Sequence, residues 1–185
     1  MENKPLQQCV IPIHKPSRKE LVFFFISGIA VSVPFAIFFE TVFPFSPVFL
    51  IAVMAPLVEE LAKVFPLFYR HGETEYSIVT LGLLIGLGFG TAEFFEYILL
   101  LGTPIIASVP HIIFHASTAT VTAYGVAKKN PLPFYLVAVA LHIANNFFAL
   151  TNDFFSIIVQ LVVLITIYLL AWRYYHMASK EKIVV

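Results

Sequence analysis

Glu59 and Glu60 stand side by side within Val48–Phe68, a stretch otherwise apolar enough to cross a bilayer. An ionisable group at bilayer depth costs roughly 2.5–3.5 kcal/mol on insertion scales, so adjacent carboxylates there need a partner or a task. Three further stretches of the same character carry Glu93 with Glu96, His111 with His115, and His142 with Asn146. Carboxylates and imidazoles exchange protons near neutral pH and ligate metals. Their convergence inside a membrane points to catalysis or ion movement before it points to scaffolding. Helical spacing sharpens this: Glu93 and Tyr97, His111 and His115, and His142 and Asn146 are i,i+4 pairs, each projecting from one face. Histidines at i,i+4 are also spaced as two metal ligands on one helix.

The elements that must position these groups are membrane helices. The chain has 185 residues, 59% hydrophobic and 12% charged, with mean hydropathy +0.90. Soluble domains carry about 25% charged residues, so the composition is that of an integral membrane protein. A net charge of zero gives no reason to expect a nucleic-acid partner. The single cysteine, Cys9, lies outside every apolar run and excludes a cysteine-rich metal site. The first apolar run begins near Leu21, is long enough to span, and has no small-residue cleavage site after it, which argues against a removable leader.

Six spans can be read: Leu21–Thr41, Ser46–Tyr69, Ile78–Leu101, Pro104–Tyr124, Leu132–Thr151 and Phe155–Trp172. The breaks between them hold turn formers, such as Phe43-Pro44-Phe45-Ser46-Pro47, Gly102-Thr103-Pro104 and Asn130-Pro131-Leu132-Pro133; His71–Glu75 is the most polar loop. Residues 1–20 form a cytoplasmic N-terminal segment, 21–173 one six-span domain, and 174–185 a cytoplasmic tail. Lys4, Lys15, Arg18 and Lys19 precede the first span, Arg70 follows the second, Lys128 and Lys129 the fourth, and Arg173, Lys180 and Lys182 the sixth. The connections after spans one, three and five have no Lys or Arg, so both termini are expected in the cytoplasm of a multi-pass cell-membrane protein.

Counted inward from the outer ends, Glu60, His115, His142 and Glu93 fall within roughly 9 Å of one another along the membrane normal, at ~1.5 Å per residue. They can therefore meet in one cavity near mid-membrane. Gly82, Gly86 and Gly90, with Gly88, allow the close helix approach that such crowding needs. Lys63 shares a helix face with Glu59 and Glu60 and can neutralise one of them.

These residues resemble a known family. Glu59-Glu60-Leu61-Ala62-Lys63 is similar to the E-E-x-x-K motif of the PrsW family of intramembrane metalloproteases. The stretch from Gly88 to Tyr97, with Glu93 and Tyr97 at E-x-x-x-Y spacing, resembles that family's second motif, and His115-Ala116-Ser117-Thr118 followed by Gly125 its third. His142-Ile143-Ala144-Asn145-Asn146 resembles the H-x-x-x-N element of the related CAAX prenyl endopeptidases. The resemblance runs from about Val53 to Asn146. This chain departs from it in Phe94, where the family often has asparagine, in the extra acid Glu96, and in the extra imidazole His111. The resemblance implies an all-α polytopic bundle that cleaves membrane-associated proteins, such as a membrane-bound anti-sigma factor, at a site of Glu59, Glu60, Glu93, His115, His142 and Asn146.

In that reading Glu60 or Glu59 activates water, and Glu93, His115 and His142 bind a metal or polarise the scissile carbonyl. Asn146 orients His142 or donates to the oxyanion. Zinc suits such ligands, although the CAAX-type enzymes work with glutamate and water alone. Plainer readings stand beside it. Glu59, Glu60 and Lys63 can be a buried ion pair fixing register, Glu93–Tyr97 an interhelical hydrogen bond, and His111 a packing or pore-lining residue. Glu96 reads as interfacial, Glu40 as facing water, and the sixth span, with Gln160 its one strongly polar interior residue, as scaffold. Two other classes of function are a proton- or cation-coupled transporter, in which Glu and His chains act as relays, and a catalytically inactive scaffold. The absence of visible inverted repeats argues against the first.

Overall fold

The computed structural model describes residues 13–42, 45–70, 72–151 and 153–184, without the side chains of 32, 33 and 35–41. Lys4, Cys9, Phe43, Pro44, His71 and the side chain of Glu40 lie outside the described residues. The described residues are mostly helical. Helix α1 spans Arg18–Val42, and a run of short helical pieces follows: α2 (Pro47–Phe49), a π-turn (Leu50–Met54), α3 (Ala55–Val64) and a 3-10 stretch (Phe65–Tyr69). Four long helices complete the bundle: α4 (Glu75–Leu99), α5 (Ile105–Ala127), α6 (Pro131–Ala149) and α7 (Phe154–Met177). These four are each long and apolar enough to cross a membrane, which marks a membrane-embedded protein.

Local chemistry sets the helix starts. Thr74 accepts from Ser77 N–H to open α4, Asp153 accepts from Ser156 N–H to open α7, and Pro131 occupies the first turn of α6. The expected second span is broken because of its prolines. Pro56 has no N–H and its ring would crowd the Ala52 carbonyl. Just ahead of it the ladder widens, with Ala55 N–H reaching Leu50 O, and Pro66 coincides with the tightening to 3-10 geometry.

Helix α4 is the centre of the bundle. Its Gly82, Gly86 and Gly90 face α5, and a Cβ on Gly86 would sit 2.3 Å from the His115 carbonyl oxygen. Gly88 faces α1, where Gly28 makes the reciprocal close approach. Most of α5 from Phe114 to Ala127 is buried, whereas α6 and α7 turn residues such as Leu136, Val162, Ile165 and Leu169 outward, where lipid replaces water.

The most polar loop, from Gly72 onward, is packed at one end of the bundle. Glu73 and Glu75 are buried, and Glu75 is met by Lys128 at 2.5 Å, Lys182 at 3.2 Å and Ser179 N–H at 3.1 Å. Arg70 pairs with Glu20 at 2.8 Å and with Glu73. The last residues return to this end. Strand β2 (Ile183–Val184) pairs antiparallel with β1 (Glu73–Thr74), and His14 bridges to Glu73 from the other side. The segment 174–184 is thus helix up to Met177 and then a strap across the helix ends.

Candidate functional site

Helix α3 buries Glu59, Glu60 and Lys63 on the face turned to the bundle. Around them, α4 contributes Phe89 and Glu93, α5 His111, Phe114 and His115, and α6 His142. Lys63 Nζ lies 2.6 Å from Glu60 Oε1 and 2.6 Å from His115 Nδ1. His142 Nδ1 is 2.8 Å from the same Glu60 oxygen, and His115 Nε2 is 2.5 Å from Glu93 Oε2. Glu60, Glu93, His115 and His142, whose counted depths coincide, are joined in one polar chain, and Glu59 lies beside it.

Hydrogen-bond chemistry fixes the direction of each link. A carboxylate only accepts, so His142 donates from Nδ1 to Glu60, and its Nε2 presents a lone pair in the neutral ring. That Nε2 faces Glu59 Oε2 at 3.8 Å, and Glu59 Oε2 is a buried oxygen without a hydrogen-bond partner among the described residues. An ammonium only donates, so Lys63 gives a hydrogen to His115 Nδ1, and His115 Nε2–H then donates to Glu93. Glu60 is anchored between Lys63 and His142, while Glu59 Oε2 faces His142 Nε2 across 3.8 Å.

Aromatic rings wall the cluster. Phe89 lies 4.9 Å from the His115 ring, and Phe114 packs on both His115 and His142, at 5.6 and 5.1 Å. Lys63 Nζ stands 4.5 Å from the Phe89 ring centre, a cation held against an aromatic face. Burial is graded along the chain: Glu60 and Lys63 are fully buried, whereas the Glu93 and His111 side chains retain 16% and 27% exposure. The open end of the site is therefore on the His111 side. His111 Nδ1 is 3.9 Å from Glu93 Oε2, and its ring stacks on Tyr97 at 4.3 Å.

Two triplets have donor atoms within 4.8 Å of one another: Glu59, His115 and His142, and Glu93, His111 and His115. The ligand set expected from the sequence, Glu93, His115 and His142, is divided between them. Histidine and glutamate are donors that zinc accepts, but His115 is common to both triplets and its two nitrogens already engage Lys63 and Glu93. A metal on either triplet has to displace one of those partners, and on the first it would stand close to the Lys63 ammonium.

Asn146 sits elsewhere than expected. Its Nδ2 donates to Ile51 O at 3.0 Å, supporting the π-turn, and Tyr135 OH likewise reaches Leu57 O at 2.7 Å. Through these two contacts α6 braces the broken helix that carries the glutamates. Sequence reasoning also missed the Lys63–His115 contact and the two phenylalanine walls. The phenylalanines carry no signal among the twenty in the chain; Lys63 carried one, as a second ionisable side chain type at bilayer depth. No family model, curated protein or solved structure matches this chain.

Proposed function

We propose that this protein is an intramembrane endopeptidase in which Glu59 is the general base for water and Glu60 the anchor that orients it. The observation carrying this reading is the unpartnered, buried Glu59 Oε2 lying 3.8 Å from His142 Nε2, with His142 oriented through its other nitrogen by Glu60. Water placed between them donates to both acceptors and keeps its oxygen lone pairs for attack. The water oxygen bonds to the scissile carbonyl carbon while its proton passes to Glu59. The carbon–nitrogen bond then breaks, and that proton leaves on the new amine. The base is regenerated, and the sum is hydrolysis.

Substrates in this reading are membrane proteins, and the motif resemblance to the PrsW family adds a membrane-bound regulator of the anti-sigma kind as one class. Helix α1 and the broken run Pro47–Tyr69 supply two further crossings beside α4–α7, giving six. The end bearing Arg70, Lys128 and Lys182 faces the cytoplasm, by the usual excess of Lys and Arg there. A zinc ion on Glu59, His115 and His142 would acidify water and polarise a carbonyl; the steps above use the glutamate alone.

The test compares new protein termini in membranes carrying the wild type and Glu59→Gln. Termini found only with the wild type support proteolysis and name a substrate. Identical sets from two folded proteins refute it. The unbroken polar chain from Glu60 through Lys63 and His115 to Glu93 favours one second reading, a proton relay for transport. Proton flux into liposomes that Glu93→Gln abolishes is expected of a transporter and absent for a protease.

A further inference from the structure

A cavity of about 400 Å³ lies between α5, α6 and α7, within the roughly 300–1,000 Å³ of ligand pockets. It shares two walls with the polar chain. His111 and Phe114 both line it, and the same two side chains face Glu93 and the His115–His142 pair. It therefore opens beside the least buried end of the site.

Its lining is apolar, including Ala149 and Leu161, with two amides, Asn145 and Gln160. Asn145 Nδ2 donates to Asn146 Oδ1 at 3.4 Å and Gln160 Nε2 to Ser156 O at 3.3 Å. Neither amide oxygen accepts a hydrogen bond from the described residues. Both oxygens are therefore open to a donor that enters the cavity, which an acyl chain cannot supply. An extended peptide at membrane depth has the matching need, because each of its N–H groups must find an acceptor.

We propose that this cavity is the subsite that receives an apolar side chain adjoining the scissile bond, with Asn145 and Gln160 accepting from the substrate's extended backbone. The assignment rests on the proteolytic reading above. It makes the sixth apolar stretch a contributor to specificity through Gln160. The occupant is an apolar residue of a membrane protein whose helix has opened locally, and not a lipid acyl chain, which would leave both amide oxygens unanswered.

Two variants push the subsite in opposite directions. Ala149→Phe fills it, and Leu161→Ala enlarges it. Termini that depend on Glu59 are collected for each and aligned on the cleaved bond. At one fixed position beside that bond, Ala149→Phe should shift the preferred residue to smaller side chains and Leu161→Ala to larger ones. A merely structural role changes rates and leaves the preference alone, and unchanged preferences in both variants overturn the proposal. Should Ala149→Phe fail to fold, Leu161→Ala decides alone. A benzophenone side chain at position 160 in the Glu59→Gln protein gives a readout independent of cleavage. Crosslinks to polypeptide support the subsite, and crosslinks only to phospholipid, or none, overturn it. Failure of the proteolytic reading itself looks different, with wild type and Glu59→Gln yielding the same termini.

Discussion

Because Glu60 Oε1 accepts from both Lys63 and His142, removing its charge leaves a buried ammonium without a counter-charge and loosens the imidazole. Breaking such a pair by one partner typically costs about 3–5 kcal/mol. Glu60→Gln is accordingly expected to lower the melting temperature in detergent well below wild type, with part of the loss recovered in Glu60→Gln/Lys63→Met, where neither charge remains. Glu59→Gln removes an oxygen that no described residue bonds. It should melt near wild type while turnover falls by the roughly 10²–10⁴-fold typical of a lost general base. Equal melting of the two single variants would show that the glutamates are interchangeable. Zinc is separable at this scale too: with both His115 nitrogens engaged, turnover is expected to survive dialysis against a strong chelator, and loss restored by added zinc would show that Lys63 or Glu93 yields its place.

At the scale of elements, the site depends on how closely α4 and α5 approach. A Cβ on Gly86 meets the His115 carbonyl oxygen at 2.3 Å and the Ala116 Cα at 2.7 Å, both backbone atoms that cannot swing aside. Gly86→Val is therefore expected to push α5 outward, lower the melting temperature and reduce turnover together. Gly102→Ser, where no atom lies within 4 Å but φ is +66°, should carry only a modest strain cost and leave turnover intact. Melting curves and cleavage rates of the pair distinguish a packing requirement from general intolerance of lost glycines. The π-turn at Leu50–Met54 belongs to this scale as well. It sets the register with which α3 presents Glu59, and the Asn146–Ile51 bond holds it against α6.

At the scale of the whole molecule, the charged end is a clasp joining the first helix, the 70–75 connection, α5 and the C-terminal strap. Deleting residues 179–185 removes Lys182 and the Ser179 N–H from buried Glu75, leaving Lys128 as its described partner. That truncation is expected to melt earlier than the full chain, and equal melting would show that the strap is passive. Glu20 gives the clasp a pH signature. The Ser17 backbone N–H, then Arg70 and the Ser17 hydroxyl, hold its carboxyl down from 4.5 to about 2. A depressed carboxylate stabilises the fold fully above its unfolded value, and the contribution fades as pH falls through the folded one. The melting difference between wild type and Glu20→Gln should thus be constant above about pH 4.5 and shrink toward pH 2. A difference that widens on acidification would contradict the pairing.

Much of the plan was legible in the chain. Apolar length set the long helices, because a span must satisfy its own backbone and face hydrocarbon. The i,i+4 spacing of His142 with Asn146 and of His111 with His115 put the polar groups on helix faces, and glycines at Gly82, Gly86 and Gly90 marked the close contact that crowds them. What sequence left open was settled by contacts between residues far apart in the chain. Glu59 and Glu60 are the same residue type in adjacent positions, and only the reach of Lys63 to His115, fifty-two residues away, and of Glu60 to His142 tells the hydrogen-bonded glutamate from the one whose Oε2 has no described partner. Local periodicity carries no information on which of two neighbours meets a distant helix. The burial of Glu73 and Glu75, the engagement of Asn146 with the π-turn, and the cavity joining Gln160 to His111 have the same cause. Each arises where separate helices meet, and partner and distance there are fixed by packing.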